Sequence, residues 1–98
     1  MVGFGGVLTE VLDDVIFCRA PASAEAVEAG LRALRSQALL SGYRGDPPVN
    51  RKALADLAAQ ISAIVAANPS IVEVDLNPVI ATGGRLVVVD ALIRTEPA

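Results

Sequence analysis

Two oxygen-bearing side chains near the end of the chain have the types and the spacing that suit a divalent cation. Asn77 and Asp90 lie on either side of the glycine pair Gly83-Gly84. If the glycines form a two-residue type I′ turn, the hairpin register places Asn77 directly opposite Asp90, with Cβ atoms about 4.5 to 5.5 Å apart. The amide oxygen of Asn77 and a carboxylate oxygen of Asp90 can then bind one magnesium ion at its usual ligand distance of ~2.1 Å. The spacing therefore predicts a magnesium site completed by phosphate oxygens and water.

The polar strand before the turn supports this site but also allows a plainer interpretation. Glu73, Asp75 and Asn77 alternate with apolar residues, so their side chains share one face of the strand. That face could simply meet water, as it does in many antiparallel sheets. Asp90, however, follows four apolar residues, where a carboxylate costs free energy unless something pairs with it. Pro78 removes one ladder hydrogen bond, and a bulge there would shift the register.

Apolar periodicity predicts two helices. Apolar residues recur every three to four positions over residues 24–35 and again over residues 51–67. Ser23 and Asn50 precede these segments and are suitable N-caps. Residues 36–49 show no sustained period and contain several Gly and Pro residues. This segment is therefore predicted to be a long ordered loop, a kind of segment that often carries function.

Short apolar runs separated by turn residues predict strands towards both ends of the chain. Runs at residues 7–12 and 15–19 flank Asp13-Asp14 and predict a hairpin. Further strands are predicted at residues 71–76, 79–81 and 85–93. Two strands, two helices and then more strands predict an α+β fold. We expect a mostly antiparallel sheet with two helices packed on one face.

Composition narrows the class of protein. The chain has 98 residues, the size of one small domain. Its formal net charge is -3 and its Lys and Arg residues are scattered, which argues against nucleic acid as a partner. Charged residues interrupt every apolar stretch, so we expect no membrane-spanning helix. With Cys18 as the single thiol and no secretory leader, we expect a cytoplasmic protein.

Four segments of the chain resemble one known family. Residues 73–80 read EVDLNPVI and residues 87–91 read VVVDA. This pattern resembles the end of the ATP-grasp domain in ADP-forming acyl-CoA synthetases and in succinyl-CoA synthetase β chains. Residues 5–15, GGVLTEVLDDV, are similar to the hairpin GGI-x-x-E-x-x-x-D-V of that family, and residues 39–48, LLSGYRGDPP, to its loop LL-x-GYRG-x-PP. The resemblance covers nearly the whole chain in the expected order.

The resemblance implies where a nucleotide would bind. Asn77 and Asp90 match the Asn and Asp that hold the Mg-nucleotide in the family, so Mg²⁺ and ATP or ADP are the expected cofactors. Glu10 matches the acid of the family's hairpin, although a solvent-facing carboxylate on a strand is the alternative. Arg44 could bind a phosphate through its planar guanidinium, or it could pair with a carbonyl or with Asp46.

The chain also departs from the family. Family members transfer phosphate through a phosphohistidine, and this chain contains no histidine. The first half of an ATP-grasp domain and a CoA-binding domain, fused or separate, are expected as partners outside residues 1–98. We therefore expect an inactive C-terminal portion of an ATP-grasp domain. Its parent enzyme would convert acyl-CoA, ADP and phosphate into a free acid, CoA and ATP.

Two other origins are compatible with the same residues. The chain could be a non-catalytic interaction module that derives from an ATP-grasp domain and packs against a partner chain. It could also come from a fusion of a CoA ligase with an acetyltransferase. The acyl substrate, the choice between ATP and GTP, and assembly into a homo-oligomer stay open at this point.

Overall fold

The computed structural model of the protein describes residues 1–5, 13–43 and 45–97. Within these residues the chain forms three helices and six short strands, and the strands pair only in antiparallel fashion. The α+β fold is therefore confirmed. In chain order the elements are β1 (Val2–Gly3), β2 (Val15–Ile16), α1 (Ala24–Leu31), α2 (Gln37–Ser41), α3 (Arg51–Ala67), β3 (Ile71–Leu76), β4 (Val79–Thr82), β5 (Arg85–Val88) and β6 (Ala91–Thr95).

The two predicted helices begin at their predicted caps. Ser23 Oγ accepts a hydrogen bond from the backbone N–H of Ala26 at 3.1 Å. Asn50 Oδ1 accepts one from the backbone N–H of Ala53 at 3.0 Å. Each cap satisfies a donor that the first turn of a helix leaves open. None of the helices formed by the described residues combines the length and the apolar composition needed to cross a membrane.

Helix α3 has its predicted bounds, but α1 ends at Leu31 rather than at residue 35. After Leu31 the chain forms a tighter turn of the 3₁₀ type, because the backbone N–H of Leu34 bonds to the carbonyl of Leu31 only three residues earlier. Gln37 Nε2 then donates to the carbonyls of Leu31 at 2.7 Å and Leu34 at 2.6 Å. One side chain from α2 thus bonds to the last carbonyl of α1 and to a carbonyl of the segment that follows it.

The prediction of a loop over residues 36–49 is wrong for its first part, where α2 forms. Arg51 at the start of α3 holds this helix in place. Its Nη1 donates to Gln37 Oε1 at 2.8 Å, and its Nη2 donates to Ser41 Oγ at 3.0 Å. A helix of five residues is too short to show a period or to be stable alone, so tertiary contacts must maintain it.

Asp14 is a buried anchor, with only 5% of its surface exposed. Its Oδ1 accepts a hydrogen bond from the backbone N–H of Arg35, and its Oδ2 accepts one from Ser36, both at 2.8 Å. The bond from Arg35 is the main cause that lowers the pKa of the Asp14 carboxyl, and burial opposes it. The sequence predicts only a turn residue here, whereas the structure ties β2 to the segment between α1 and α2.

The described partner of β2 is β1. Val2 pairs with Ile16, and Gly3 pairs with Val15. A Cβ atom at Gly3 would overlap the side chain of Val15, so this close pairing requires glycine. The partner predicted from the sequence, residues 7–12, lies outside the described residues.

The hydrophobic core lies between the helices and β2. Helix α1 packs against α3, and α3 also contacts β3 and β5. No residue from 71 to 95 is fully buried, so the C-terminal strands lie beside the core rather than within it. The buried core residues among those described are Ile16, Val27, Leu31, Leu34, Leu40 and Ala55.

Replacing Asp14 with Asn should destabilise the fold at neutral pH. The amide keeps an acceptor oxygen but presents an NH₂ group to one of the two backbone N–H donors. We expect the melting temperature to fall by roughly 5 °C or more, because an unmade buried hydrogen bond is costly in a chain of this size. Thermal melting followed by circular dichroism measures the change.

The pH dependence of the difference in melting temperature between wild type and Asp14→Asn is a sharper test of the anchor. A carboxyl with a lowered folded-state pKa stabilises the fold above its ordinary pKa of 3.8, and this stabilisation is lost as the pH falls through the lower folded-state pKa. The gap in melting temperature between wild type and Asp14→Asn should therefore narrow below pH 3.8. Asp13→Asn is the matched control, because Asp13 is exposed. Equal losses in both variants would contradict the anchor.

Candidate functional site

The two predicted metal ligands lie opposite each other across the C-terminal hairpin. The ladder of β3 with β6 and the ladder of β4 with β5 follow one continuous register on either side of them. Between the ladders, the backbone N–H of Asn77 donates to the carbonyl of Asp90 at 3.2 Å. Directly opposed residues place their side chains on the same face of a hairpin. The predicted pairing of Asn77 with Asp90 is confirmed.

Pro78 lies inside the hairpin without shifting its register. Its carbonyl accepts a hydrogen bond from the backbone N–H of Val89 at 3.1 Å, so pairing continues past the missing proline donor. The irregularity in the register occurs instead at the base of the hairpin, between Ile71 and Glu73. A bulge at the proline, which would have separated the two ligands, is therefore absent from this described segment.

The register depends on a tight turn at Gly83 and Gly84. Their φ angles are 55° and 76°, in the left-handed region that a type I′ turn requires at both central residues. Asn50, the N-cap of α3, also reaches this turn. Its Nδ2 donates to the carbonyl of Gly84 at 3.3 Å. The same amide group therefore caps a helix and ties the tip of the hairpin to that helix.

The side chains of both candidate ligands are exposed, and that of Asp90 is already oriented. Asp90 Oδ1 accepts a hydrogen bond from the backbone N–H of Ala91 at 2.9 Å, which leaves Oδ2 for a ligand. Asn77 Oδ1 lies near the segment that follows β1, since a Cβ atom built on Gly5 would be 3.9 Å from it. An amide oxygen and a carboxylate oxygen on one face fit the oxygen ligands of magnesium.

Asn77 borders a cavity of about 550 Å³ between the hairpin, β1 and the helices. Asp75 and Asn77 are the polar residues in its lining, and the rest of the lining is mostly apolar. Apolar concave sites with a few polar groups are the common form of a ligand site. The apolar lining includes Phe4, Leu31, Leu40, Leu54, Leu76, Val79 and Leu86. Asn77 is therefore a polar group at the border of a mostly apolar cavity, and Asp90 lies opposite it across the hairpin.

The described residues supply only part of a metal shell. No three His, Cys, Asp or Glu side chains in the described part of the chain are grouped closely enough to hold a metal ion. Asn77 and Asp90 would give a magnesium ion two oxygen ligands, and phosphate oxygens and water would have to supply the others. Glu73 is occupied, because Arg94 Nε donates to Glu73 Oε2 at 3.1 Å. Asp75 lines the same cavity as Asn77. The sequence signal for this was the two-residue spacing of Asp75 and Asn77, which predicts that they share a face of the strand.

Glu10 and Arg44, the two residues predicted to contact the nucleotide, lie outside the described residues. Their assignments stay predictions. The chain on the C-terminal side of Glu10 is anchored through Asp14, and α2 ends at Ser41, three residues before Arg44 in the sequence.

Substitutions at the two turn glycines should show whether the turn sets the register of the hairpin. Gly83→Asn should be tolerated, because Asn-Gly is the preferred pair for a type I′ turn. Gly84→Val should cost about 1 to 2 kcal/mol, because a β-branched residue is strained at positive φ. NMR cross-strand contacts between Leu76 and Ala91 report whether the hairpin is paired. Intact contacts in Gly84→Val, with an unchanged melting temperature, would show that the turn does not set the register.

Curated proteins of similar sequence are acid-CoA ligases and related synthetases. The chain is 45% identical over 98 residues to trans-feruloyl-CoA synthase FCS1 from an unknown prokaryotic organism, covering 98% of this chain and 14% of that protein. It is 37% identical over 91 residues to the ADP-forming acetate--CoA ligase I subunit beta of Pyrococcus furiosus, covering 93% of this chain and 39% of that subunit. The chain therefore spans less than half the length of these relatives.

The fold is similar to that of solved synthetase structures. The apo dinucleotide-forming acetyl-coenzyme A synthetase 1 of Ca. Korarchaeum cryptofilum superposes with a TM-score of 0.89 at 39% identity, over 96% of this chain and 45% of that one. The complex of that synthetase with coenzyme A and Mg-AMPPCP superposes with a TM-score of 0.87, over 96% of this chain and 44% of that one. The family profile of the ATP-grasp domain matches residues 1–95. The chain belongs to the ATP-grasp domain family.

Proposed function

We propose that this chain supplies part of the Mg-nucleotide site of an ADP-forming acyl-CoA synthetase. The parent reaction would convert acyl-CoA, ADP and phosphate into a free acid, CoA and ATP. The observation that carries the proposal is the backbone pairing of Asn77 with Asp90 across the hairpin. Similarity to ADP-forming acetate--CoA ligases and to a synthetase solved with Mg-AMPPCP supports it.

Asn77 and Asp90 would hold Mg²⁺ through one amide oxygen and one carboxylate oxygen. When bound, the ion would neutralise charge on the nucleotide phosphates. The hydrogen bond from Ala91 N–H to Asp90 Oδ1 restricts the carboxylate before any ligand arrives, which lowers the entropy cost of binding. The cross-strand pairing keeps both oxygens on one side of the hairpin. The apolar cavity next to Asn77 would exclude water from part of the bound nucleotide.

Further groups would have to complete the site around Asn77 and Asp90. Glu10 and Arg44 are the proposed further nucleotide contacts, with Arg44 directed at a phosphate through its guanidinium. A phosphohistidine would have to come from elsewhere, since the chain contains no histidine. We propose that the rest of an ATP-grasp domain and a CoA-binding domain, either fused or as separate subunits, complete the enzyme. A relative that is a separate β subunit supports the second arrangement.

In the complete enzyme, Asp90→Asn should lower turnover by more than about tenfold, which needs only ~1.4 kcal/mol of lost transition-state stabilisation. The amide has a similar shape but lacks the negative charge that attracts a hard cation. Steady-state rates across a magnesium titration measure the loss. Glu10→Gln is the comparison variant and should lose less activity, because Asp90 is the one carboxylate that we assign to the metal.

Thermal melting of Asp90→Asn provides the control for folding. The variant should melt near the wild-type temperature, because Asp90 is exposed and its substitution leaves no buried group unpaired. A direct Mg-nucleotide binding titration should show the same loss as the rate. Near-normal rates and binding at low magnesium would refute the ligand assignment.

The isolated 98-residue chain should form no detectable ATP from acyl-CoA, ADP and phosphate. It lacks a histidine that could carry the phosphoryl group, and it holds only part of the proposed nucleotide site. A coupled assay for ATP with the purified chain measures this, with a complete ADP-forming ligase as the positive control. ATP formation above the no-protein rate would overturn the assignment of the chain as one part of a larger site.

A further inference from the structure

The candidate metal pair lies where two ladders of the C-terminal hairpin meet. We call the β3–β6 ladder the proximal ladder and the β4–β5 ladder, which carries the glycine turn, the distal ladder. Two backbone hydrogen bonds lie at the junction between them, from Asn77 to Asp90 and from Val89 to Pro78. The orientation of one ladder relative to the other therefore decides how closely the side chains of Asn77 and Asp90 approach.

Helix α3 contacts both ladders. It packs against β3 of the proximal ladder and against β5 of the distal ladder. At the start of the helix, Asn50 Nδ2 donates a hydrogen bond to the carbonyl of Gly84 at 3.3 Å, at the tip of the distal ladder. No residue from 79 to 88 is buried, and a two-stranded hairpin is only marginally stable alone. The bond from Asn50 therefore restrains a segment that packing holds weakly.

The helix cap determines which end of the Asn50 amide faces the hairpin. Its Oδ1 accepts a hydrogen bond from the backbone N–H of Ala53 at 3.0 Å. The NH₂ group is therefore the end that remains to donate to Gly84. Asp and Ser are equally good N-caps, but a carboxylate has no proton to donate and a hydroxyl is one bond shorter. Capping alone does not require the amide of Asn50, whereas the bond to the hairpin does.

We propose that Asn50 is a positioning residue for the candidate metal pair. This inference rests on the proposed function, because it concerns the same site. The bond to Gly84 holds the distal ladder against α3, while the contact of α3 with β3 holds the proximal ladder. One helix thus restrains the hairpin on both sides of the junction and keeps Asn77 opposite Asp90. Less conformational freedom is then lost when a cation binds, which favours binding.

Two substitutions separate positioning from capping. Asn50→Ser keeps a good N-cap but removes the amide that reaches Gly84, so its melting temperature should stay near that of wild type. Asn50→Ala removes both the cap and the bond to the hairpin. Asp is avoided because Arg85 lines the same small cavity as Asn50, where an ion pair could replace the lost bond. Ser23→Ala is the matched control, because it removes only the cap of α1.

Hydrogen exchange in the full 98-residue chain, followed by NMR, measures the junction directly. In Asn50→Ser the amides of Asn77 and Val89 should exchange at least about threefold faster, because losing one hydrogen bond shifts a local opening equilibrium by that much. The amide of Glu96, whose hydrogen bond lies at the base of the hairpin, should keep its rate. Ser23→Ala should lower the melting temperature without changing the rates of Asn77 and Val89 relative to Glu96.

A titration with Mn²⁺, a paramagnetic substitute for Mg²⁺, measures the effect on the pair itself. In wild type, Mn²⁺ should broaden the NMR signal of the Ala91 amide, which bonds to Asp90 Oδ1. Asn50→Ser should need at least about threefold more Mn²⁺ for the same broadening, because the pair is less ordered before binding. Asn and Ser are both uncharged, so this substitution does not act through the attraction between charges.

Unchanged exchange at Asn77 and Val89 in Asn50→Ser would overturn the proposal. Faster exchange in Asn50→Ala alone would also overturn it, because Asn50 would then act only as a cap. Equal broadening of the Ala91 signal in wild type and Asn50→Ser would be a third contrary result. If Mn²⁺ broadens neither signal, the metal assignment of the proposed function fails, and the exchange rates alone decide whether Asn50 holds the pair. The two failures are therefore distinguishable.

Discussion

The candidate site depends on the register of one antiparallel hairpin. Gly83 and Gly84 adopt positive φ angles, and the pairing that starts from their turn continues through Pro78 to bring Asn77 opposite Asp90. A slip of one residue would move every side chain of a strand to the other face. The two oxygens would then lie on opposite sides of the hairpin. Backbone geometry at the turn therefore decides whether the pair can share a ligand.

Features set by local chemistry could be predicted from the sequence. The cap at Asn50, the full extent of α3 and the strand Ile71–Leu76 all follow from periodicity, capping and turn residues. Helix α2 could not be predicted this way, because Gln37, Arg51 and the segment held by Asp14 stabilise it through distant contacts. An Asp in a predicted turn gives no local signal that its carboxylate will accept two backbone N–H groups from residues far along the chain.

The candidate site likewise has one part that could be predicted from the sequence and one part that could not. The opposition of Asn77 and Asp90 was predictable because the turn and the two-residue period of strands determine it. The cavity beside Asn77 was not, because its walls come from β1 and all three helices, and no local pattern specifies how these elements approach the hairpin. The hydrogen bond from Asn50 to Gly84 is likewise a tertiary contact between a helix cap and a turn.

The position of the hairpin beside the core connects stability to function. Among the described residues, the buried apolar side chains belong to β2, to the helices and to the segment between α1 and α2, and none belongs to residues 71–95. The hairpin therefore gains little from the core and depends on its contacts with α3 and on the hydrogen bond from Asn50. The two candidate metal ligands, on a hairpin that the core supports so little, are held less rigidly than they would be on a packed sheet.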